Sequence, residues 1–87
     1  MFVILVYDVN VKRTAKVLKK CREYLTWVQN SVFEGEISKA NLYKLKSELR
    51  RMIDESEDSV IIYILRTTRY SERQIIGLEK GGFEQIF

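Results

Sequence analysis

Residues 2–9 read FVILVYDV, and residues 60–65 read VIIYIL. Both runs are short and apolar and are rich in β-branched and aromatic side chains, a pattern typical of β-strands that are covered on both faces. The first run carries one charge, Asp8, near its carboxyl end. The two runs therefore predict strands of a sheet, and the segments around them define its topology.

Two amphipathic helices are predicted between these strands. Apolar residues recur at helical spacing over roughly residues 12–24, and Asn10 is a suitable N-cap for this helix. Ser38 caps a second helix, whose apolar face carries Leu42, Leu45, Leu49, Met52 and Ile53. The acidic run 54–58 (DESED) ends that helix and is expected to form a solvated turn.

Strand-forming residues occupy the segment between the helices. Residues 26–37 (TWVQNSVFEGEI) contain Thr, Trp, Val and Phe, which favour strands. A turn at Asn30 and Ser31 divides this segment into two short strands, or a bend there makes one kinked strand. Two further strand candidates, residues 74–78 and 83–87, follow near the end of the chain and are separated by Lys80-Gly81-Gly82.

The predicted order β-α-β-β-α-β matches the α+β ferredoxin-like sandwich, with two helices on one face of an antiparallel sheet. We expect a single domain over residues 1–87, with residues 67–87 as a β tail. The run VIIYIL falls at a sheet edge in this topology but has no charge to protect it, so the tail of the same chain or of a second copy is expected to cover it. A hinge at Gly81-Gly82 favours exchange of the last strand within a homodimer, where the tail extends the partner's sheet.

Composition excludes several kinds of site. The chain has 87 residues, no histidine and one cysteine, so the usual zinc sites, Ser-His-Asp and Cys-His nucleophiles and an intrachain disulfide are all excluded. A chain of this length is marginally stable alone and gains from a partner. Its longest apolar run, residues 1–7, is shorter than the ~20 residues that cross a bilayer and lacks signal-peptide features. We therefore expect a cytoplasmic protein that does not bind membranes.

Basic residues are segregated on the two predicted helices, which carry 11 of the 15 Lys and Arg residues. Such a surface can neutralise phosphates, or it can simply be the solvated face of two amphipathic helices. For the first reading, the candidate nucleic-acid contacts on the first helix are Lys12, Arg13, Lys16, Lys19 and Lys20. Ser31, in the segment NSVFEG, is a further candidate that can donate a hydrogen bond to a phosphate.

Asp8 is the most informative single residue, because a carboxylate at the end of a buried strand needs a partner. It is either a ligand of a hard cation such as Mg²⁺ or a carboxylate that accepts hydrogen bonds at the start of the first helix. One carboxylate per chain is a small set of metal ligands for a nuclease, but a two-fold dimer would bring two copies of Asp8 together. Tyr7 points to the opposite sheet face and is expected in the core. Phe33 packs either in the core or at a dimer seam.

Three segments carry a family resemblance: YDV at residues 7–9, VQNSVFEG at 28–35 and DSVIIYIL at 58–65. With a basic helix after the first and a Leu- and Lys/Arg-rich helix after the second, the chain resembles the small CRISPR-associated endoribonuclease family, the second of the two core CRISPR adaptation proteins. The resemblance covers nearly the whole chain. It departs from the family pattern at Trp27, where many members carry a basic residue before VQ.

The resemblance implies a ferredoxin-like homodimer with exchanged terminal strands, for which Phe33, Phe83, Ile86 and Phe87 are the candidate interface residues. It implies Mg²⁺-dependent cleavage of RNA or DNA in some members, with Asp8 as metal ligand and catalytic residue. It also implies a scaffold role, in which the dimer bridges two dimers of the CRISPR integrase and holds DNA for spacer integration. Outside the family, a ferredoxin-like regulatory or RNA-binding module and a toxin-like ribonuclease remain alternatives.

Overall fold

The computed structural model describes residues 1–67 and 70–79. Within these ranges the strands and helices follow the predicted order. They are β1 (Phe2–Asp8), α1 (Val11–Arg22), β2 (Thr26–Gln29), β3 (Val32–Glu36), α2 (Lys39–Met52), β4 (Ser59–Thr67) and β5 (Tyr70–Gly77). The structure therefore confirms the α+β class and the βαββαβ order, with one added strand after β4.

The strands form one antiparallel sheet in the order β2-β3-β1-β4-β5. The first four strands have the ferredoxin-like arrangement. β5 pairs with β4 of the same chain, from Ser59 opposite Gly77 to Thr67 opposite Tyr70. The tail of the same chain thus covers the β4 edge at residues 70–77, and the extension of a partner's sheet by the tail stays a prediction. The predicted strand at residues 83–87, with Phe83, Ile86 and Phe87, lies outside the described residues.

The core lies between the helices and one face of the sheet. Its buried side chains come from both helices and from three strands: Val3, Leu5 and Tyr7 of β1, Val17 and Cys21 of α1, Phe33 of β3, Leu42, Leu45 and Leu49 of α2, and Val60, Ile62 and Ile64 of β4. Burial raises the pKa of the Cys21 thiol to about 12. Cys21 is therefore a small apolar core residue, as its position in the helical pattern predicts.

The other face of the sheet is only partly covered. Burial in β1 alternates, with Phe2, Ile4 and Val6 half-buried between fully buried neighbours and Asp8 exposed. The prediction that β1 is covered on both faces is therefore wrong for the single chain, because both helices pack on the same face. We call this partly covered side the open face; its half-buried apolar residues are Phe2, Ile4, Val6, Val32, Ile61, Tyr63 and Ile75.

Local hydrogen bonds explain where the elements begin. The Asn10 side chain accepts the backbone N–H of Lys12 at 3.1 Å, and the Ser38 hydroxyl accepts that of Asn41 at 3.1 Å, so both predicted caps are confirmed. Asn30 adopts a positive φ of 46°, a conformation that Asn tolerates better than most residues. This turn separates β2 from β3 and decides between the two alternatives in favour of two strands.

Candidate functional site

Asp8 stands at the carboxyl end of β1, where the strand leaves the core. Its side chain is exposed, whereas the preceding Tyr7 is only 5% exposed. The Tyr7 ring stacks on Phe33 with centroids 6.1 Å apart. The strand pleat therefore sends Tyr7 into the core and Asp8 to the open face, as predicted. The Asp8 carboxylate therefore lies at the surface, on a strand that the sheet register holds opposite Ser59.

An open cleft of about 320 Å³ lies beside Asp8 and is lined by Tyr7, Asp8, Val9, Thr14, Asn30 and Ser31. The β2–β3 turn forms one wall, because the Ser31 carbonyl accepts the backbone N–H of Tyr7 at 3.1 Å. The structure thus brings together two of the predicted site residues, Asp8 and Ser31. It adds Thr14 and Asn30, which sequence reasoning missed because nothing in the sequence places either of them next to Asp8.

Trp27, which replaces a basic residue of the family pattern, supports that wall. Its side chain is 48% exposed on β2, and its indole N–H donates to the Asn30 carbonyl at 2.8 Å. The indole therefore holds the turn that borders the cleft. This interaction is structural and supplies no positive charge to the site.

The carboxylate that binds the start of α1 is that of Asp58, which lies just before β4. Its Oδ1 accepts the backbone N–H of Asn10 at 2.8 Å, and its Oδ2 accepts the backbone N–H of Asp54 at 2.9 Å. Asp58 is fully buried, so the prediction that the whole run 54–58 is a solvated turn is wrong at this residue. Burial by itself raises the pKa of Asp58, but hydrogen bonds from Arg13 and from the backbone of Asp54 and Asn10 outweigh it and lower the pKa to about 2.

Arg13 compensates the buried Asp58 charge. Its Nε donates to Asp58 Oδ2 at 2.5 Å, and its Nη2 donates to Asp58 Oδ1 at 3.2 Å and to Glu57 Oε1 at 2.6 Å. The hydrogen bond to Asp58 is the main reason that the pKa of Arg13 is raised. Two carboxylates of its own chain therefore already bind the Arg13 guanidinium, and its contact with nucleic acid stays a prediction.

Lys20 is also engaged within the chain. Its ammonium lies 3.1 Å from a carboxylate oxygen of Glu23 and 3.3 Å from one of Glu48, and its side chain is only 18% exposed. The Tyr24 hydroxyl donates to the same Glu48 at 3.2 Å. Lys20 therefore links α1 to α2, and its contact with nucleic acid stays a prediction. The other three predicted contacts on α1, Lys12, Lys16 and Lys19, are exposed.

Phe33 lies on the helix-covered side of the sheet. Its side chain is fully buried in the core of its own chain, against Tyr7. This is the core position that the sequence offered as one of two alternatives, and a contact of Phe33 at a dimer seam stays a prediction. Trp27 and Leu5 occupy the positions opposite Phe33 on the neighbouring strands, so the sheet register fixes Phe33 on the helix-covered face.

The donor set at Asp8 is small. Within residues 1–67 and 70–79, the structure contains no group of three or more Cys, Asp or Glu side chains arranged to hold a metal ion. Asp8 offers one carboxylate, and Ser31 and Asn30 line the same cleft. Mg²⁺ commonly binds one or two carboxylates and keeps several waters, so residues of these types fit a hydrated Mg²⁺.

Neither of the described helices is long and apolar enough to span a membrane.

Comparison with known proteins decides the family. The sequence profile described as "CRISPR associated protein Cas2" matches residues 1–73. The chain belongs to the Cas2 family. It is 60% identical to a protein of Dictyoglomus turgidum and 54% identical to one of Thermotoga maritima, both named CRISPR-associated endoribonuclease Cas2; each alignment covers 99% or more of both chains.

Solved structures of Cas2 proteins share the fold. One, described as a crystal structure of Cas2, has a TM-score of 0.74 at 48% identity and covers 94% of this chain and 92% of its own. Streptococcus pyogenes Cas2 at pH 6.5 has a TM-score of 0.70 at 41% identity, over 75% of this chain and 86% of its own. These likenesses confirm the family that the YDV, VQNSVFEG and DSVIIYIL segments predict.

Proposed function

We propose that this chain acts as a homodimeric, Mg²⁺-dependent endonuclease that cleaves phosphodiester bonds at Asp8, and that it serves in CRISPR spacer acquisition. The observation that carries the proposal is the exposed Asp8 carboxylate at the end of a buried strand, beside an open polar cleft, in a member of the Cas2 family. Its relatives are named endoribonucleases, which supports RNA as one substrate.

Each polar residue of the cleft has a distinct part in this proposal. Asp8 would hold the Mg²⁺ ion, and Ser31 and Asn30, on the opposite wall, would donate hydrogen bonds to the phosphate of the bound strand. When bound, Mg²⁺ supplies Lewis-acid chemistry by polarising the phosphate and lowering the pKa of coordinated water. The chain contains no histidine, so no imidazole base assists, and Asp8 supplies the carboxylate of the cleft.

The homodimer is supported by the open face. Seven apolar residues of the sheet are only half-buried there, and Asp8 lies at the end of the same row as Phe2, Ile4 and Val6. A two-fold dimer that packs the two open faces together would bury this surface and bring the two Asp8 carboxylates toward each other across the seam. The second carboxylate would complete a ligand set that one chain lacks.

A scaffold role is supported by the exposed lysines of α1. Lys12, Lys16 and Lys19 follow one another at helical spacing on the solvent side, where they can neutralise the phosphates of duplex DNA. In the proposed role, the dimer binds the DNA fragment on this surface and joins the CRISPR integrase. This role needs no cleavage at Asp8 and is compatible with it.

A cleavage assay tests the enzymatic part. Wild type, Asp8→Ala and the control Glu55→Ala are incubated with single-stranded RNA and with duplex DNA, each with Mg²⁺ and with EDTA. Glu55 is an exposed acid in the loop before β4 and lies outside the cleft. We expect Mg²⁺-dependent cleavage by wild type and Glu55→Ala and none by Asp8→Ala. An Asp8→Ala variant as active as wild type would overturn the assignment of Asp8.

A further inference from the structure

We infer that the Arg13–Asp58 pair is a positioning pair for the candidate site, which holds the segment from Asp8 to Asn10 in the orientation that Mg²⁺ binding and cleavage require. This inference rests on the proposed function of Asp8. Neither residue lines the Asp8 cleft. They act on Asp8 through the backbone that follows it.

Asp58 joins three segments of the chain. Its side chain accepts the backbone N–H of Asn10, its backbone N–H donates to the Asp54 carbonyl at 2.7 Å, and its carbonyl accepts the backbone N–H of Leu78 at 2.8 Å. The strand end after Asp8, the loop before β4 and the end of β5 therefore meet at one buried residue. An anchor with this many bonds has little freedom to move.

The sheet register places this anchor next to Asp8. Asp8 pairs with Ser59 across the β1–β4 ladder, and Asp58 immediately precedes Ser59. Asn10, which Asp58 binds, is two residues beyond Asp8. The chain from Asp8 to Asn10 is thus held at both ends, by the ladder at Asp8 and by Asp58 at Asn10. A change at Asp58 is expected to alter the direction in which Asp8 leaves the strand.

Arg13 makes the anchor stable. Its two contacts to Asp58 form the two-pronged arrangement that a guanidinium makes with a carboxylate. Lysine cannot reproduce that geometry. Removing one member of a buried ion pair leaves the other charge without compensation, so each single substitution is expected to disturb the same segment, and removing both members is expected to disturb it little further.

A double-mutant cycle tests the inference. Arg13→Gln, Asp58→Asn and the double variant are compared with wild type for the maximal cleavage rate and for the dissociation constant of the RNA. Ile62→Val, a mild change in the core away from the cleft, controls for reduced stability. We expect each single variant to lose about tenfold in maximal rate, as small misplacements do, with an unchanged RNA dissociation constant. The double variant is expected to lose no more than the worse single variant.

Two outcomes would overturn the positioning role. One is weaker RNA binding by Arg13→Gln but not by Asp58→Asn, which would make Arg13 a phosphate ligand. The other is a cleavage rate in Asp58→Asn that falls no further than in Ile62→Val. Cleavage by Asp8→Ala at the wild-type rate would overturn the proposed function itself. Because this result comes from a different variant, it is distinguishable from failure of the positioning role.

A measurement without cleavage gives a second readout. Mn²⁺, used in place of Mg²⁺, is titrated into ¹⁵N-labelled wild type, Asp58→Asn and Ile62→Val, and the paramagnetic broadening of the Asp8 and Val9 amide signals is followed. We expect half-broadening at about tenfold more Mn²⁺ in Asp58→Asn than in wild type, and no change in Ile62→Val. Half-broadening at the same Mn²⁺ concentration in all three proteins would overturn the inference.

Discussion

The backbone N–H of Asn10 donates a hydrogen bond of 2.8 Å to the buried carboxylate of Asp58, across 48 residues of sequence. This bond ties the start of α1 to the loop before β4, two residues beyond the exposed Asp8. The candidate site is therefore supported by a buried acid that takes no part in the cleft itself. The two aspartates have different environments: Asp8 is exposed at the surface, and Asp58 is buried and paired with Arg13.

The first prediction concerns acid stability. Asp58 has its folded pKa lowered from 3.8 to about 2, so its contribution to folding is complete above pH 4–5 and is lost as the pH falls through about 2. By linkage this contribution amounts to about 2 kcal/mol. Urea unfolding of wild type at pH 7, 4 and 2.5 is expected to show the loss, whereas Asp58→Asn is expected to lack this part of the pH dependence. If the free energies of unfolding of wild type and Asp58→Asn changed with pH in the same way, the contribution assigned to the Asp58 carboxylate would be contradicted.

The second prediction concerns Gly77, at the end of β5. Its φ is +93°, a conformation that is strained for alanine. A Cβ at this position would also overlap the Asp58 carbonyl oxygen. We expect Gly77→Ala to lower the free energy of unfolding by more than about 2 kcal/mol. The comparison is Gly35→Ala, which also has a positive φ, +155°, but where the nearest atom is a Leu25 methyl carbon at 3.6 Å, so the two variants differ in the overlap with backbone. Thermal melts that shift more for Gly35→Ala than for Gly77→Ala would contradict this account.

The third prediction separates the exposed lysines of α1 from the paired one. The variant Lys12→Gln/Lys16→Gln/Lys19→Gln is expected to bind duplex DNA more weakly, with a salt dependence flatter by about 0.9 in log–log slope for each phosphate that the variant no longer neutralises. Lys20→Gln is expected to keep the wild-type slope, because Glu23 and Glu48 already pair with Lys20. Fluorescence anisotropy across a KCl series measures both slopes. An equal flattening of the slope in Lys20→Gln would return that residue to the binding surface.

The scaffold role extends this prediction to the cell. A spacer-acquisition assay with the triple lysine variant is expected to show few new spacers, whereas Asp8→Ala is expected to acquire spacers normally if cleavage is not needed for the role. Normal acquisition by the triple variant would argue against DNA binding on α1.

The fourth prediction concerns the open face. Ile61 lies on β4 opposite Val6, and both side chains are half-buried in the single chain. We expect Ile61→Glu to convert the dimer to a monomer, because a charge would be placed in an apolar seam. Val28→Glu, at a site that is 47% exposed on β2, is the matched control and is expected to stay dimeric. Sedimentation velocity reports the state of each, and a dimeric Ile61→Glu with normal circular dichroism would exclude this face as the seam.

The order of the elements could be predicted from the sequence because its signals are local. The apolar runs of β1 and β4 and the caps Asn10 and Ser38 each follow from a few neighbouring residues, whereas the turn at Asn30 was one of two alternatives that the sequence left open. The position of Asp8 at a strand end, opposite in direction to Tyr7, follows from the pleat alone. These predictions needed no knowledge of which residues meet in space.

Contacts between distant segments could not be predicted in the same way. Asp58 looks like one member of an acidic run, yet the fold buries it and brings Arg13 to it across 45 residues. Lys20 looks like the other lysines of α1, yet α2 brings Glu48 to it. Charge patterns in a sequence therefore overestimate the free basic surface, because they do not show which charges are paired after folding.

The most direct test of the central claim is the location of the divalent cation. In ¹⁵N-labelled wild type, small additions of Mn²⁺ are expected to broaden the amide signals of Asp8, Val9, Asn30 and Ser31 first, and Asp8→Ala is expected to lose this selectivity. The acidic loop at residues 54–57 is the natural competing site. Selective broadening there, or unchanged broadening around the cleft in Asp8→Ala, would contradict the claim that Asp8 holds the metal.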